Sequence, residues 1–210
     1  MSTRREPQID GAARELGDAL NGFTREGVVD IQRARMLAAM SELASERGVA
    51  NVSVAHVVER AGISRRTFYE IFNDREDCFL AAFDDAIERI ADRIVPLYER
   101  PGKWRERIRA CLIELLLFLD NDPVSGRLVV VETLGAGRGA LERRGLVLAQ
   151  VISAVDEGCR EAKGGAEPPP LTAEGIAGAV LSVIHGRMVE RRPGRLIELV
   201  NPLMSMIVLP

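Results

Sequence analysis

Two adjacent arginines just inside a helix start are the residues here best placed to act on another molecule. In SVAHVVERAGISRRTFYEIF, Ser53 to Phe72, Ser64 precedes Arg65, Arg66 and Thr67. Arginine can pair in bidentate fashion with guanine O6 and N7, while the threonine methyl suits thymine and its hydroxyl a base or a phosphate. Tyr69 and Arg75 fall where a hydroxyl and a guanidinium can hold the phosphates that set register. Ser53, Ser64, Arg65, Arg66, Thr67, Tyr69 and Arg75 therefore form the candidate contact set for double-stranded DNA. The competing reading makes Arg65 and Arg66 a solvated face, and Phe68 and Phe72 are read as core in either case.

Those side chains need two short helices meeting at a steep angle. Ser53 can cap the first, which carries Val54, Val57, Val58 and Ala61 and stops at Gly62. Gly62 supplies the positive φ of a tight turn, Ile63 plugs the corner, and Ser64 caps the second helix. Upstream, Met36, Leu37, Met40, Leu43 and Ala44 recur at helical spacing until Gly48. Downstream, longer amphipathic stretches are expected at Glu76 to Val95, ended near Pro96, then Trp104 to Leu119, Val124 to Leu134, Leu141 to Cys159, Thr172 to Glu190 and Arg195 to Val208. No clear alternating strand appears, so the fold class is all-α, about nine helices.

At these residues the chain resembles the TetR family of bacterial transcriptional regulators. The run AGISRRTFYEIFNDREDCFLAAF carries the family's Ala-Gly-aliphatic-Ser turn at Ala61 to Ser64, its Tyr-x-x-Phe helix end at Tyr69 and Phe72, and a basic residue before acidic ones at Arg75 and Glu76. Val58 stands where a small alanine is more usual, Ile71 where a phosphate-touching histidine or tyrosine often sits, and Arg75 replaces a lysine. The resemblance implies an N-terminal three-helix helix-turn-helix domain over residues 28–75, with a linking helix to about 95. It also implies a C-terminal effector-binding and dimerisation domain over 76–210, while mixed charges, glycines and little apolar periodicity make residues 1–27 a flexible N-terminal arm. It further implies a homodimeric repressor on a palindromic operator, released by a small-molecule effector, with a DNA-binding activator or architectural protein as the alternative.

Charge constrains how such a head binds. The 210 residues carry a formal net charge of −3 and a pI near 5.6. Between Arg25 and Arg75 eight arginines face seven acidic residues. Affinity must then come from a few placed contacts and dimer symmetry, not a broad positive field.

In the rest of the chain, Glu114 lies inside an apolar helix, where it either orients a ligand or pairs with an arginine such as Arg127. Glu132, Thr133 and Gln150 are further candidate ligand contacts, and His185 reads as a packed or interface residue. Gly175, Gly178 and Ala179, with Val180 and Ile184, suit close packing of a helix on its symmetry mate. The apolar tail NPLMSMIVLP is expected to join it in a four-helix dimer contact. Gly135, Gly137 and Ala140 fit G-x-G-x-x-A with Asp156 or Glu157 beyond, the mark of a nucleotide-binding enzyme. One strand-like run cannot build the parallel sheet that such a site needs. Three separated cysteines, Cys78, Cys111 and Cys159, suit reduced thiols, and two distant histidines, His56 and His185, argue against zinc. Neither catalysis nor a metal or other cofactor is expected. The polar beginning and short apolar runs favour a cytoplasmic protein without a membrane span.

Overall fold

Side-chain caps mark the starts of the short helices. The computed structural model describes residues 25–162, 164, 165, 168–190 and 194–207, so most of the arm expected at 1–27 lies outside the described residues. Helix α1 (Arg25–Arg47) ends at Gly48, whose φ of 79° turns the chain into a 3-10 turn at Val49–Asn51. Before α2 (Val54–Ala61), the Ser53 hydroxyl accepts from the His56 amide while His56 Nδ1 accepts from the Ser53 amide, a reciprocal cap. Gly62 at φ 64° donates back to Glu59, and Ile63 donates to the Val58 carbonyl. Ser64 then caps α3 (Arg65–Ile71) and Asp74 caps α4 (Arg75–Tyr98).

Five more helices follow: α5 (Trp104–Asn121), α6 (Pro123–Val130), α7 (Arg138–Ala162), α8 (Thr172–Val189) and α9 (Val200–Ile207). A 3-10 turn at Glu132–Gly135 precedes α7, and another at Leu196–Leu199 precedes α9. The fold is all-α, with nine α-helices and no strand among the described residues. None of these helices is long and apolar enough to cross a membrane.

Burial divides into two clusters joined by α4 and α6. The first gathers Met36, Met40, Leu43, Val57, Phe68 and Phe79 from α1 to α4, and is closed by Leu128, Ala136 and Ala140 from beyond the head. The second gathers Trp104, Leu112, Leu116, Ile176, Ile184 and Leu203 from α5, α8 and α9. In α6, Leu128 belongs to the first cluster and Val130 to the second. Burial pushes the Cys78 thiol up to about 12, as suits a small core residue.

Several expected boundaries move, each for a local reason. Helix α4 runs through Pro96 to Tyr98, and the Glu99 amide still donates to the Val95 carbonyl. Helix α6 stops at Val130 because the buried Thr133 hydroxyl donates to the Leu128 and Val129 carbonyls at 2.8 and 3.0 Å. In the described part of the apolar tail, Val200, Leu203, Met204 and Ile207 pack within their own chain, so these four side chains are not available to a symmetry mate. Asp120 accepts the Leu196 and Ile197 amides that start this last segment. The G-x-G-x-x-A run is a helical connection: Ala136 and Ala140 are buried, and Gly137 and Gly139 let the chain pass close to Glu76.

At the opposite end, α7 packs on α5 through one glycine. A Cβ on Gly158 would stand 2.0 Å from Trp104 Cε2, inside the indole whose Nε1 donates to the Ala154 carbonyl. Gly158→Ala is therefore expected to destabilise the protein by about 1–3 kcal/mol or more through overpacking. Thermal unfolding checks it, since an unchanged melting temperature would mean that Trp104 moves freely aside.

Candidate nucleic-acid interface

Capping and core packing fix the orientation of α3. Phe68 is fully buried and Phe72 nearly so, which turns the other side of the helix to solvent. The Ser64 hydroxyl accepts from the Thr67 amide at 3.0 Å and lies 2.9 Å from the Thr67 hydroxyl. Three expected contact residues thus crowd one helix start: Arg65 and Arg66 are exposed and Thr67 half-buried.

The two arginines are not equivalent. Arg66 Nε donates to Glu70 one turn on, at 3.0 Å, in an exposed pair. Arg65 has no hydrogen bond or ion pair within the described residues, so its full donor fork is available to a guanine edge. Tyr69 is 58% exposed and stacks edge-on against Phe68, leaving its hydroxyl at the surface. Ser53 sits on the neighbouring turn as the α2 cap.

Nearby charge is largely neutralised. Arg60 Nη1 donates to Glu42 and its Nη2 to Glu46, at 2.9 and 2.8 Å. The hydrogen bond from Arg60 is the main cause holding the Glu46 carboxyl below its ordinary range. Arg35 lies against the turn, its Nη2 2.8 Å from where a Cβ on Gly62 would stand. On α3 this leaves Arg65 as the exposed arginine without an acidic partner among the described residues.

Arg75 departs from its expected place. It is half-buried, and its Nη1 donates to the Val49 carbonyl at 2.7 Å and to the Val52 carbonyl at 3.4 Å. In this arrangement the guanidinium braces the turn between α1 and α2 instead of projecting towards a phosphate. Sequence spacing could not reveal this, because the acceptors are backbone atoms brought close only by folding.

The four candidate ligand residues are not gathered into one cavity. Glu114 pairs with Arg93 at 3.2 Å, not with Arg127. Glu132 and Thr133 are buried in the turn after α6, where Glu132 takes Arg127 at 3.1 Å, and Gln150 is exposed on α7. A cavity of about 630 Å3 lies elsewhere, between α1, α4 and the α5–α6 turn, and is lined in part by Arg33, Leu37, Arg89 and Ser125. Of the residues expected to meet a symmetry mate, Gly175 and Gly178 are exposed and Ala179 and Val180 half-buried. Ile184, however, is buried in its own chain's core and cannot serve there.

Comparison with known proteins agrees with this geometry. Residues 36–82 match the family model described as bacterial regulatory proteins, tetR family. Over these residues the chain carries the DNA-binding head of the TetR family. Its fold is that of the fatty acid degradation regulator FadR from Bacillus halodurans, at 19% identity and a TM-score of 0.73, over 84% of this chain and 94% of that one. FadR from Bacillus subtilis in complex with stearoyl-CoA superposes with a TM-score of 0.71 at 16% identity, covering 83% of this chain and 97% of that one. AibR in complex with isovaleryl coenzyme A and operator DNA gives 0.69 at 13% identity, with coverages of 83% and 97%. The short-helix head that matches the family is followed in this chain by a bundle of longer helices.

Arg65→Ala is expected to weaken binding to a selected DNA site by about 1–3 kcal/mol while sparing unrelated DNA. Tyr69→Phe should weaken both alike, since a phosphate contact carries no sequence information. Paired titrations of specific and unrelated duplexes check both, and equal losses for Arg65→Ala would remove its base-reading role.

Proposed function

We propose that this TetR-family regulator is a homodimeric repressor whose two heads bind a palindromic operator until a small-molecule effector shifts them to another spacing. Residues 28–75 do the reading. Arg65 and Arg66 address base edges, Thr67 a base or phosphate, Tyr69 a phosphate, and Ser53 and Ser64 lie beside the backbone at the two helix starts. The observation that carries this reading is the unpaired, exposed Arg65 at a capped helix start beside the free Tyr69 hydroxyl. Residues 76–210 supply effector binding and dimerisation.

A coenzyme A thioester is the effector class this reading favours. Support comes from the two similar structures that hold stearoyl-CoA and isovaleryl coenzyme A. The effector acts as a population shift, binding one arrangement of the heads better than the other. Selection of bound duplexes from a random pool, followed by titration of the winner with stearoyl-CoA and isovaleryl-CoA, tests both parts. A palindrome released by either thioester supports the reading. A non-palindromic winner refutes the dimeric mode, and no release by either refutes the effector class.

The dimer contact is assigned to the outward sides of α7 and α8. A Cβ at Gly145, Gly175, Gly178 or Gly186 would meet nothing within 4 Å in the single chain, and Leu146 is 64% exposed beside them. Small residues along these helices allow a partner's backbone to approach closely. A Cβ at Gly178 meets nothing in its own chain, so loss of the dimer in a folded Gly178→Leu variant reports on the partner. The expected result is a monomer, or a displaced dimer that no longer binds the palindrome, measured by sedimentation and operator titration. An intact dimer with normal affinity would place the contact elsewhere.

A further inference from the structure

The backbone of Val49 is held at both its amide and its carbonyl by charged groups that belong to different parts of the molecule. Its amide donates to Glu132 Oε2 at 2.9 Å, across 83 residues of sequence, and its carbonyl accepts from Arg75 Nη1 at 2.7 Å. The Glu132 side chain is 8% exposed, and its other oxygen accepts from Arg127 Nε at 3.1 Å. Val49 is itself buried, so losing the carboxylate would leave its amide with an unmet hydrogen bond.

The position of this bond matters as much as its strength. Val49 begins the turn between α1 and α2, where the chain enters the helix-turn-helix. Glu132 begins the turn directly after α6, the helix that puts Leu128 into the head cluster and Val130 into the bundle cluster. A shift of α6 along or across the bundle therefore moves the acceptor of the Val49 amide. Gly48, at φ 79°, lies just before the bond as the point where α1 can turn against the head. Arg127, in the last turn of α6, orients the carboxylate and links it to the helix that would move.

We infer that Glu132 is the positioning residue through which the C-terminal bundle sets the orientation of the reading head, and hence the half-site spacing that the dimer accepts. Its buried carboxylate is engaged by the Val49 amide and Arg127. This inference deepens the proposed palindrome-binding function and rests on it. Loss of the bond should loosen the angle of each head while leaving the base-contacting residues intact. Discrimination between spacings should then fall more than affinity as such.

The test uses the full chain, the selected palindrome, and the same palindrome with one base pair added or removed between its half-sites. One base pair rotates a half-site by about a tenth of a helical turn, so a rigidly held pair of heads must lose affinity. Wild-type protein is expected to bind the altered spacings about ten-fold or more weakly. Glu132→Ala should stay dimeric and cut that penalty to about three-fold or less. Glu132→Gln keeps the shape and an acceptor while losing the charge. It serves if the alanine variant unfolds, and its penalty should fall by about a factor of two to three. A purely structural role would lower affinity for all three duplexes by the same factor. An unchanged penalty in the folded variants therefore overturns the inference while leaving the dimeric reading intact. If wild-type protein shows no spacing penalty, the palindrome reading and this inference fall together.

Discussion

The hydrogen bond from the buried Val49 amide to Glu132 is the constraint on which the relation between the two halves depends. A buried amide without an acceptor costs about 1–3 kcal/mol, more when a charged partner is lost, so the two halves cannot separate there without penalty. Leu128, Ala136 and Ala140 complete the head's apolar cluster from beyond α4. The head is therefore not an independent bead on a linker. Its core is closed by the same segment that carries Glu132, which makes α6 and its following turn the physical joint between the two halves.

Electrostatics in the head work by subtraction. Eight arginines and seven acidic residues between Arg25 and Arg75 give almost no net field. Arg60 is neutralised by Glu42 and Glu46, and Arg75 is turned to backbone carbonyls, while Arg65 keeps its donors free at the start of α3. A head built this way gains little from long-range attraction to the phosphate backbone and depends on contacts made at close range. In the dimer proposed above, two heads on one frame would multiply those few contacts.

Glycine sets the close approaches at both ends of the molecule. Gly158 admits the Trp104 indole between α5 and α7, and Gly139 admits the Glu76 carboxylate, 2.8 Å from where a Cβ would stand, between α4 and α7. At Gly175 and Gly178 the absent side chain faces open space within the chain. Glycines on adjoining helices thus have opposite roles, internal fit in one place and an outward face in the other, and only the neighbours distinguish them.

Sequence alone determined what depends on local spacing. Caps at Ser53 and Ser64, the left-handed turn at Gly62 and the apolar faces through Phe68 and Phe72 all follow from residues within one or two turns of each other. That is why the helix-turn-helix, the all-α class and the exposed Arg65 were legible. Tertiary structure decided everything whose partner is distant in sequence. Glu132 read as a ligand group until folding put the Val49 amide against it, Arg75 as a phosphate contact until it met two carbonyls, and Ile184 as an interface residue until α8 turned it inward. A carboxylate or guanidinium looks the same in sequence whether it meets a ligand, a partner or a backbone amide. The folded chain alone brings one of these within hydrogen-bonding distance.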